Sequence, residues 1–182
     1  MISDQWDSTM PPLNLWNFAQ RDKYVYNTTE TTMELYHLRS IDDPLTKVVK
    51  DDPVRPHIPL SQRINDTAEI LILKAGEEIL AATCLQWLKD IPEDEQDLVE
   101  NVDKSKDTAV FYTIWSYSPG AGATLLKQAA EWILGEFKDV KHIVTLSPQT
   151  EMAKRFHLKN GATIHKENLN SVNYKYYQSK ND

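Results

Sequence analysis

The segment from Thr108 to Phe137 constrains this chain most, because its residue types run strand, glycine loop and helix in unbroken order. Val110, Phe111, Tyr112, Thr113, Ile114, Trp115 and Tyr117 are mostly β-branched or aromatic and fit a pleated, half-buried surface. Ser118 and Pro119 end the strand, and Gly120-Ala121-Gly122-Ala123 lets the backbone turn sharply and approach a ligand. Thr124 is expected to cap the following helix. Leu125, Leu126, Ala129, Ala130, Ile133, Leu134 and Phe137 recur at helical spacing as one apolar stripe. The N–H groups and dipole at the start of such a helix favour an anion such as a diphosphate.

At 182 residues the chain is long enough for one well-buried core and short for two. The start carries neither a basic nor an apolar leader pattern, and no run approaches the roughly 18 apolar residues of a membrane span. Cys84 is the only cysteine, which suits a reducing cytoplasm. A net charge of −7 argues against nonspecific nucleic-acid binding. Much of that acid is concentrated in Asp90, Glu93, Asp94, Glu95, Asp97, Glu100 and Asp103, read as a solvated loop or short helix. Lys127, Lys154, Arg155 and Lys159 remain as candidates for a local basic patch. His37, His57, His142 and His165 show no metal-ligand spacing, so no metal is expected.

The order of elements implies a single domain with a mixed sheet. Residues 1–50 read as an irregular arm, with Trp6, Trp16 and Phe18 docking on the domain and a short helix over Thr31 to Ser40; residues 51–182 read as the domain proper. A helical turn is expected over Leu60 to Ile64, and a hairpin of Ala68–Leu73 and Ile79–Trp87 turns at Ala75 to Glu78. A strand over His142–Leu146, a helix over Thr150–Lys159 stopped by Asn160-Gly161, and short strands near Ala162–Glu167 and Val172–Tyr177 follow. The helical crossover makes strands 108–117 and 142–146 parallel neighbours whose splayed ends admit a ligand.

These residues resemble the GNAT acyl-CoA-binding superfamily, whose cofactor loop is matched by Tyr117-Ser118-Pro119-Gly120-Ala121-Gly122 at all but its first place. Within it, the chain is similar to the C-terminal catalytic domain of the malonyl-CoA decarboxylase family. Thr108 to Ile114, Val144-Thr145-Leu146-Ser147-Pro148, Phe156-His157-Leu158-Lys159-Asn160-Gly161-Ala162, Asn168 with Val172-Asn173-Tyr174, and more loosely Asp52-Pro53-Val54-Arg55-Pro56 carry the likeness. Thr113 stands where that family has a serine, and the chain is shorter between Pro148 and Phe156 and between Asn168 and Val172.

The resemblance implies a GNAT-like α/β (α+β) domain and a coenzyme A thioester as substrate, held by Tyr117, Ser118, Gly120, Ala121, Gly122, Ala123 and Thr124. It implies His157 as the general acid that protonates the enolate left by loss of carbon dioxide, read as an imidazolium titrating near neutrality. Thr113, and less directly Ser116, would hold the carboxylate in a nearly apolar site. Trp87, Trp115 and Trp132 are candidates for an acyl pocket. A GNAT N-acyltransferase, with Glu69, Glu77 or an acidic-loop carboxylate as base, is the rival reading; a CoA-binding module without turnover is the third. A homo-oligomer is compatible with the sequence, which names no amine acceptor.

Overall fold

The computed structural model describes residues 32–181, so the aromatic arm expected over the first thirty residues lies outside the described residues. A hairpin of β2 (Ala68–Ala75) and β3 (Glu78–Leu88) turns at Gly76, whose φ of 61° is the left-handed conformation glycine adopts freely. Ile70, Leu71, Ile72 and Leu73 of β2 are all fully buried, Ile70 and Ile72 in one core and Leu71 and Leu73 in the other. A strand covered on both faces reads as an unbroken apolar run.

Residues Met33–Leu38 form strand β1, antiparallel to β2 from Met33↔Ala75 to Leu38↔Ile70, and not the short helix expected there. Met33 and Leu35 pack against one core while Tyr36 and Leu38 pack against the other, which is a period of two. Over six residues the pairs 33/36 and 35/38 imitate helical spacing, and pairing to β2 decides between the two. This stretch therefore belongs to the sheet.

β4 (Thr108–Ser116) pairs antiparallel with β3, and β5 (His142–Thr145) lies parallel beside β4 after the crossover through α3 (Ala121–Glu136). β7 (Val172–Gln178) is antiparallel to β5 and carries β6 (Thr163–Glu167) at the sheet edge, giving the order β1-β2-β3-β4-β5-β7-β6. Leu125, Leu126, Ala129, Ala130 and Ile133 of α3 close one core against Leu85, Trp87, Ala109 and Phe111. The opposite face is covered by a 3-10 helix (Pro44–Asp51), the loop 52–58, α1 (Leu60–Arg63) and the short α2 (Asp97–Glu100) from the acidic stretch. Among the described residues no helix is long and apolar enough to cross a membrane.

Gly120, with φ 77°, caps α3; Thr124 lies in the first turn and donates its hydroxyl to the Gly120 carbonyl at 3.3 Å. The expected threonine cap is thus displaced by a left-handed glycine, which starts the helix one turn earlier. A Cβ on Gly122 would stand 2.8 Å from the Ser116 hydroxyl, so the glycine permits the close seating of α3 on the end of β4. The last helix, α4 (Glu151–Lys159), is capped by Thr150, whose hydroxyl accepts the Ala153 N–H at 3.2 Å, and it ends before Gly161 at φ 92°.

A buried ion pair ties the irregular loop 52–58 to the sheet. Asp52 and Arg63 have fully buried side chains 2.7 Å apart. Arg63 also donates to the carbonyls of Ile58 and Arg55, at 2.9 and 2.6 Å. Burial pushes the Asp52 carboxyl upward, but N–H bonds from Arg55 and Val54, the Thr113 hydroxyl and Arg63 together hold it below the usual carboxylate range.

Two outcomes follow for stability. Asp52→Ala strands the buried guanidinium and lowers the free energy of urea unfolding by about 3–5 kcal/mol at neutral pH. Because the folded carboxyl titrates below its unfolded value of about 3.9, the contribution is complete above that pH and is lost as pH falls through the folded value; a loss under about 1 kcal/mol would contradict the pairing. Separately, Gly122→Ala destabilises by about 1–3 kcal/mol through overpacking, and adding Ser116→Ala recovers most of it, which a double-mutant cycle measures.

Candidate active site

The parallel pairing of β4 and β5 is short. It runs from Thr108↔His142 to Phe111↔Thr145, and the N–H of Leu146 makes a further bond to the Phe111 carbonyl at 3.0 Å. Beyond that point Ser147 exchanges two 2.9 Å bonds with Val172, while β4 continues to Ser116 beside β3. The expected splay is therefore present, and it opens a cavity of about 340 Å³. Phe111 to Ile114 form one wall, Leu146 to Pro148 the other, and His157 of α4 is among the lining residues. Among the described residues, none that lines the cavity is Asp, Glu, Lys or Arg.

His157 is 3% exposed and stacks on Tyr174 with ring centroids 4.6 Å apart. Its Nε2 lies 3.1 Å from the Ser147 hydroxyl and its Nδ1 2.7 Å from the Tyr176 hydroxyl. Ser147 donates to Thr145 Oγ1 at 2.8 Å, so its oxygen is left to accept from Nε2–H, and Nδ1 in turn accepts from Tyr176. Burial pushes the Tyr176 phenol well up, which keeps that donor protonated. Burial also pushes the His157 imidazole down to about 3. The imidazolium expected near neutrality is thus replaced by a neutral ring, because burial penalises the positive charge and no carboxylate among the described residues lines the cavity to compensate it.

The other sequence-predicted residues are distributed around this point. Thr113 lines the same cavity as His157, but its hydroxyl is donated to Asp52 at 2.7 Å. Ser116 lies behind Gly122 and is not a lining residue. Of the loop, Ser118 and Gly120 are half-buried, Pro119 is exposed and Ala121 to Thr124 are buried in the first turn of α3. Tyr117 is half-buried and donates to Asp51 at 2.7 Å. Lys154 and Arg155 are exposed and Lys159 half-buried, whereas Lys127 is fully buried, 3.7 Å from Glu131, and is no part of a surface patch.

The tryptophans do not form the pocket. Trp87 and Trp115 are 1% exposed in the cores and Trp132 packs edge-on against Phe137; the cavity is walled by Phe111, Ile114, Leu126, Leu146 and Met152. The expected bases are elsewhere as well. Glu69 is held by His37 at 2.7 Å and Arg39 at 3.3 Å, and Glu77 sits in the β2–β3 turn. Glu93 pairs with Lys166, and Glu95 with Arg55 and His57.

Sequence reasoning passed over Ser147 and Tyr176 as partners of His157, and Asp52 and Arg55 as supports of the wall. The motif segments containing Ser147, Asp52 and Arg55 were visible, but their pairing is long-range: Asp52 reaches Thr113 across 61 positions and Arg55 reaches Tyr112 across 57.

No protein-family model and no curated protein sequence matches this chain. Its structure is similar to malonyl-CoA decarboxylase from Agrobacterium vitis, with a TM-score of 0.56 at 21% identity over 64% of this chain and 33% of that one. For the malonyl-CoA decarboxylase from Cupriavidus metallidurans the TM-score is 0.60 at 16% identity, over 79% and 60%. Arabidopsis thaliana NAA60, solved in complex with acetyl-CoA, matches with a TM-score of 0.55 at 14% identity over 80% and 98%. The chain thus spans from a third to about three-fifths of the length of those two decarboxylases. A mixed sheet split between its two parallel strands, with α3 and α4 following them, gives this chain the GNAT-like fold that malonyl-CoA decarboxylases and acetyltransferases share.

Proposed function

We propose that the protein is a cytoplasmic enzyme that binds an acyl-CoA and releases carbon dioxide from malonyl-CoA to leave acetyl-CoA. The observation that carries this reading is the cavity at the split of β4 and β5, which no charged side chain among the described residues lines and to which His157 contributes a neutral ring. The diphosphate of coenzyme A would approach along Ser118 to Gly120, at the N-terminus of α3. The acyl thioester would extend between the split strands.

In that setting a malonyl carboxylate is poorly solvated, which favours its departure. The bond from the α-carbon to the carboxylate breaks, its electron pair passes into the thioester as an enolate, and carbon dioxide leaves. The enolate then takes a proton at carbon. A neutral imidazole suits such a step as the middle of a relay, its Nε2–H donating to Ser147 while its Nδ1 accepts from Tyr176, so that the ring passes a proton along without itself facing the enolate. The Tyr176, His157, Ser147 and Thr145 chain supplies a continuous line of hydroxyl and N–H groups through which that proton is replaced. Thr113 offers lone pairs and not a proton, since its hydroxyl is committed to Asp52.

The lining also weighs against amine acylation. That reaction needs a base for the amine, and no carboxylate among the described residues lines the cavity, while a histidine pushed to about 3 accepts protons poorly.

Incubation with malonyl-CoA is expected to yield carbon dioxide and acetyl-CoA, with kcat about 10²–10⁴-fold lower for His157→Ala. Free thiol appearing only with acetyl-CoA plus an amine would select the transferase, and coenzyme A binding without either product would select a binding module. Because His157 stays neutral to about pH 3, kcat is expected to show no inflection near pH 6.5 between pH 5 and 8. A decline of rate above pH 6.5 would mean that an imidazolium is required.

A further inference from the structure

Thr145 is 1% exposed and lines the cavity, and its hydroxyl oxygen accepts twice, from the Tyr174 N–H at 3.1 Å and from Ser147 at 2.8 Å. Those two bonds fill the lone pairs of the oxygen, so its hydrogen needs an acceptor of its own. Among the described residues it has none. A buried donor left open in this way calls for a partner from outside the chain.

The line of bonds through His157 runs toward this hydroxyl. The Tyr176 phenol is its most acidic O–H and the imidazole its best acceptor, so Tyr176 donates to Nδ1, Nε2–H donates to Ser147, and Ser147 donates to Thr145. The two partners of the Thr145 oxygen come from β7 and from just past the end of β5. The split lies on the other side of β5, toward β4, where Phe111 stands opposite Thr145 and lines the same cavity. The cavity side is the one left to the hydroxyl hydrogen.

We propose that Thr145 is the catalytic residue that hands the proton to the α-carbon of the enolate, with His157 acting two hydroxyls behind it. The proposal rests on the decarboxylase reading given above. A C–H bond forms at the α-carbon as the Thr145 O–H bond breaks. The Ser147 hydrogen passes to the Thr145 oxygen, the Nε2 hydrogen of His157 to Ser147, and the Tyr176 hydrogen to Nδ1. The ring stays neutral throughout and only changes tautomer, while the negative charge ends on the Tyr176 phenolate, a far weaker base than the enolate. Once the product has left, water entering the cavity gives a proton to Thr145, the other three transfers run back, and hydroxide departs to solvent.

With malonyl-CoA, kcat is expected to fall about a hundredfold in Thr145→Val and to stay within about tenfold of the parent in Thr145→Ser, with KM within about threefold in both. A second readout, which a merely structural hydroxyl would not move, is alkylation of Thr145→Cys by bromoacetyl-CoA. A thiol beside the α-carbon displaces bromide, the C–S bond forming as the C–Br bond breaks, and peptide mapping finds the adduct at position 145. The parent, whose one cysteine among the described residues, Cys84, is buried, stays unlabelled. No adduct at position 145 in a variant that still binds acetyl-CoA overturns the proposal, as does an undiminished kcat in folded Thr145→Val. If Thr145→Val does not fold, the labelling decides. Carbon dioxide release by the parent without labelling of the variant overturns the role of Thr145 and leaves the decarboxylase reading standing. Labelling of the variant when the parent releases no carbon dioxide overturns that reading, and the proton transfer with it, and leaves only the placement of Thr145 beside the acyl group.

Discussion

The bond from the Leu146 N–H to the Phe111 carbonyl is the last that joins the two parallel strands, and everything proposed for the site depends on pairing stopping there. Past it, β5 is drawn off by the two-way exchange between Ser147 and Val172, and β4 is bulged at Tyr112. A sheet that opens in its middle leaves backbone groups without ladder partners, and buried groups of that kind need other ones. Here one of them, the Tyr112 carbonyl, is taken by Arg55, whose loop is in turn anchored by the Asp52–Arg63 pair. The opening is thus held by charges placed behind the wall of the cavity.

That arrangement separates two electrostatic environments a few residues apart. Behind β4, Asp52 and Arg63 are buried as an ion pair that also holds the backbone N–H and carbonyl of Arg55, whose buried side chain reaches the Tyr112 carbonyl. Within the cavity the described residues present no charge, and the histidine beside it stays neutral. A substrate carboxylate entering there loses hydration without gaining a cation, whereas a thioester finds an apolar channel with hydroxyl and N–H groups at one end. In the decarboxylation proposed above, loss of carbon dioxide would remove the poorly accommodated carboxylate and leave the thioester, which is the direction in which binding energy accelerates a reaction.

Much of the frame was legible because its signals are local. The β-branched run before Gly120, the apolar stripe after it, the Gly76 turn and the Asn160-Gly161 stop each act within a few residues, and the parallel crossover with its split follows from their order. β1 was misread because six residues hold too few repeats to separate a period of two from helical spacing; its pairing to β2 is a contact across more than thirty positions. Of the candidate site, motif position singles out His157 and Thr113, which line the same cavity. The charge state of His157 was not legible, since desolvation depends on Tyr174, Tyr176 and the surrounding core. Nor was the commitment of the Thr113 hydroxyl to Asp52, or the packing of Ser116 beneath Gly122, both of which are set by tertiary approach.

The central claim is that the split between β4 and β5 holds an acyl thioester beside a neutral His157. A crystal structure of the protein with acetyl-CoA tests it most directly. The account predicts the diphosphate at Ser118 to Thr124 and the acetyl group between Thr113 and Ser147, in hydrogen-bond reach of the His157, Ser147 and Tyr176 cluster. Coenzyme A bound on another face, or an acetyl group outside the split with that cluster untouched, would contradict it.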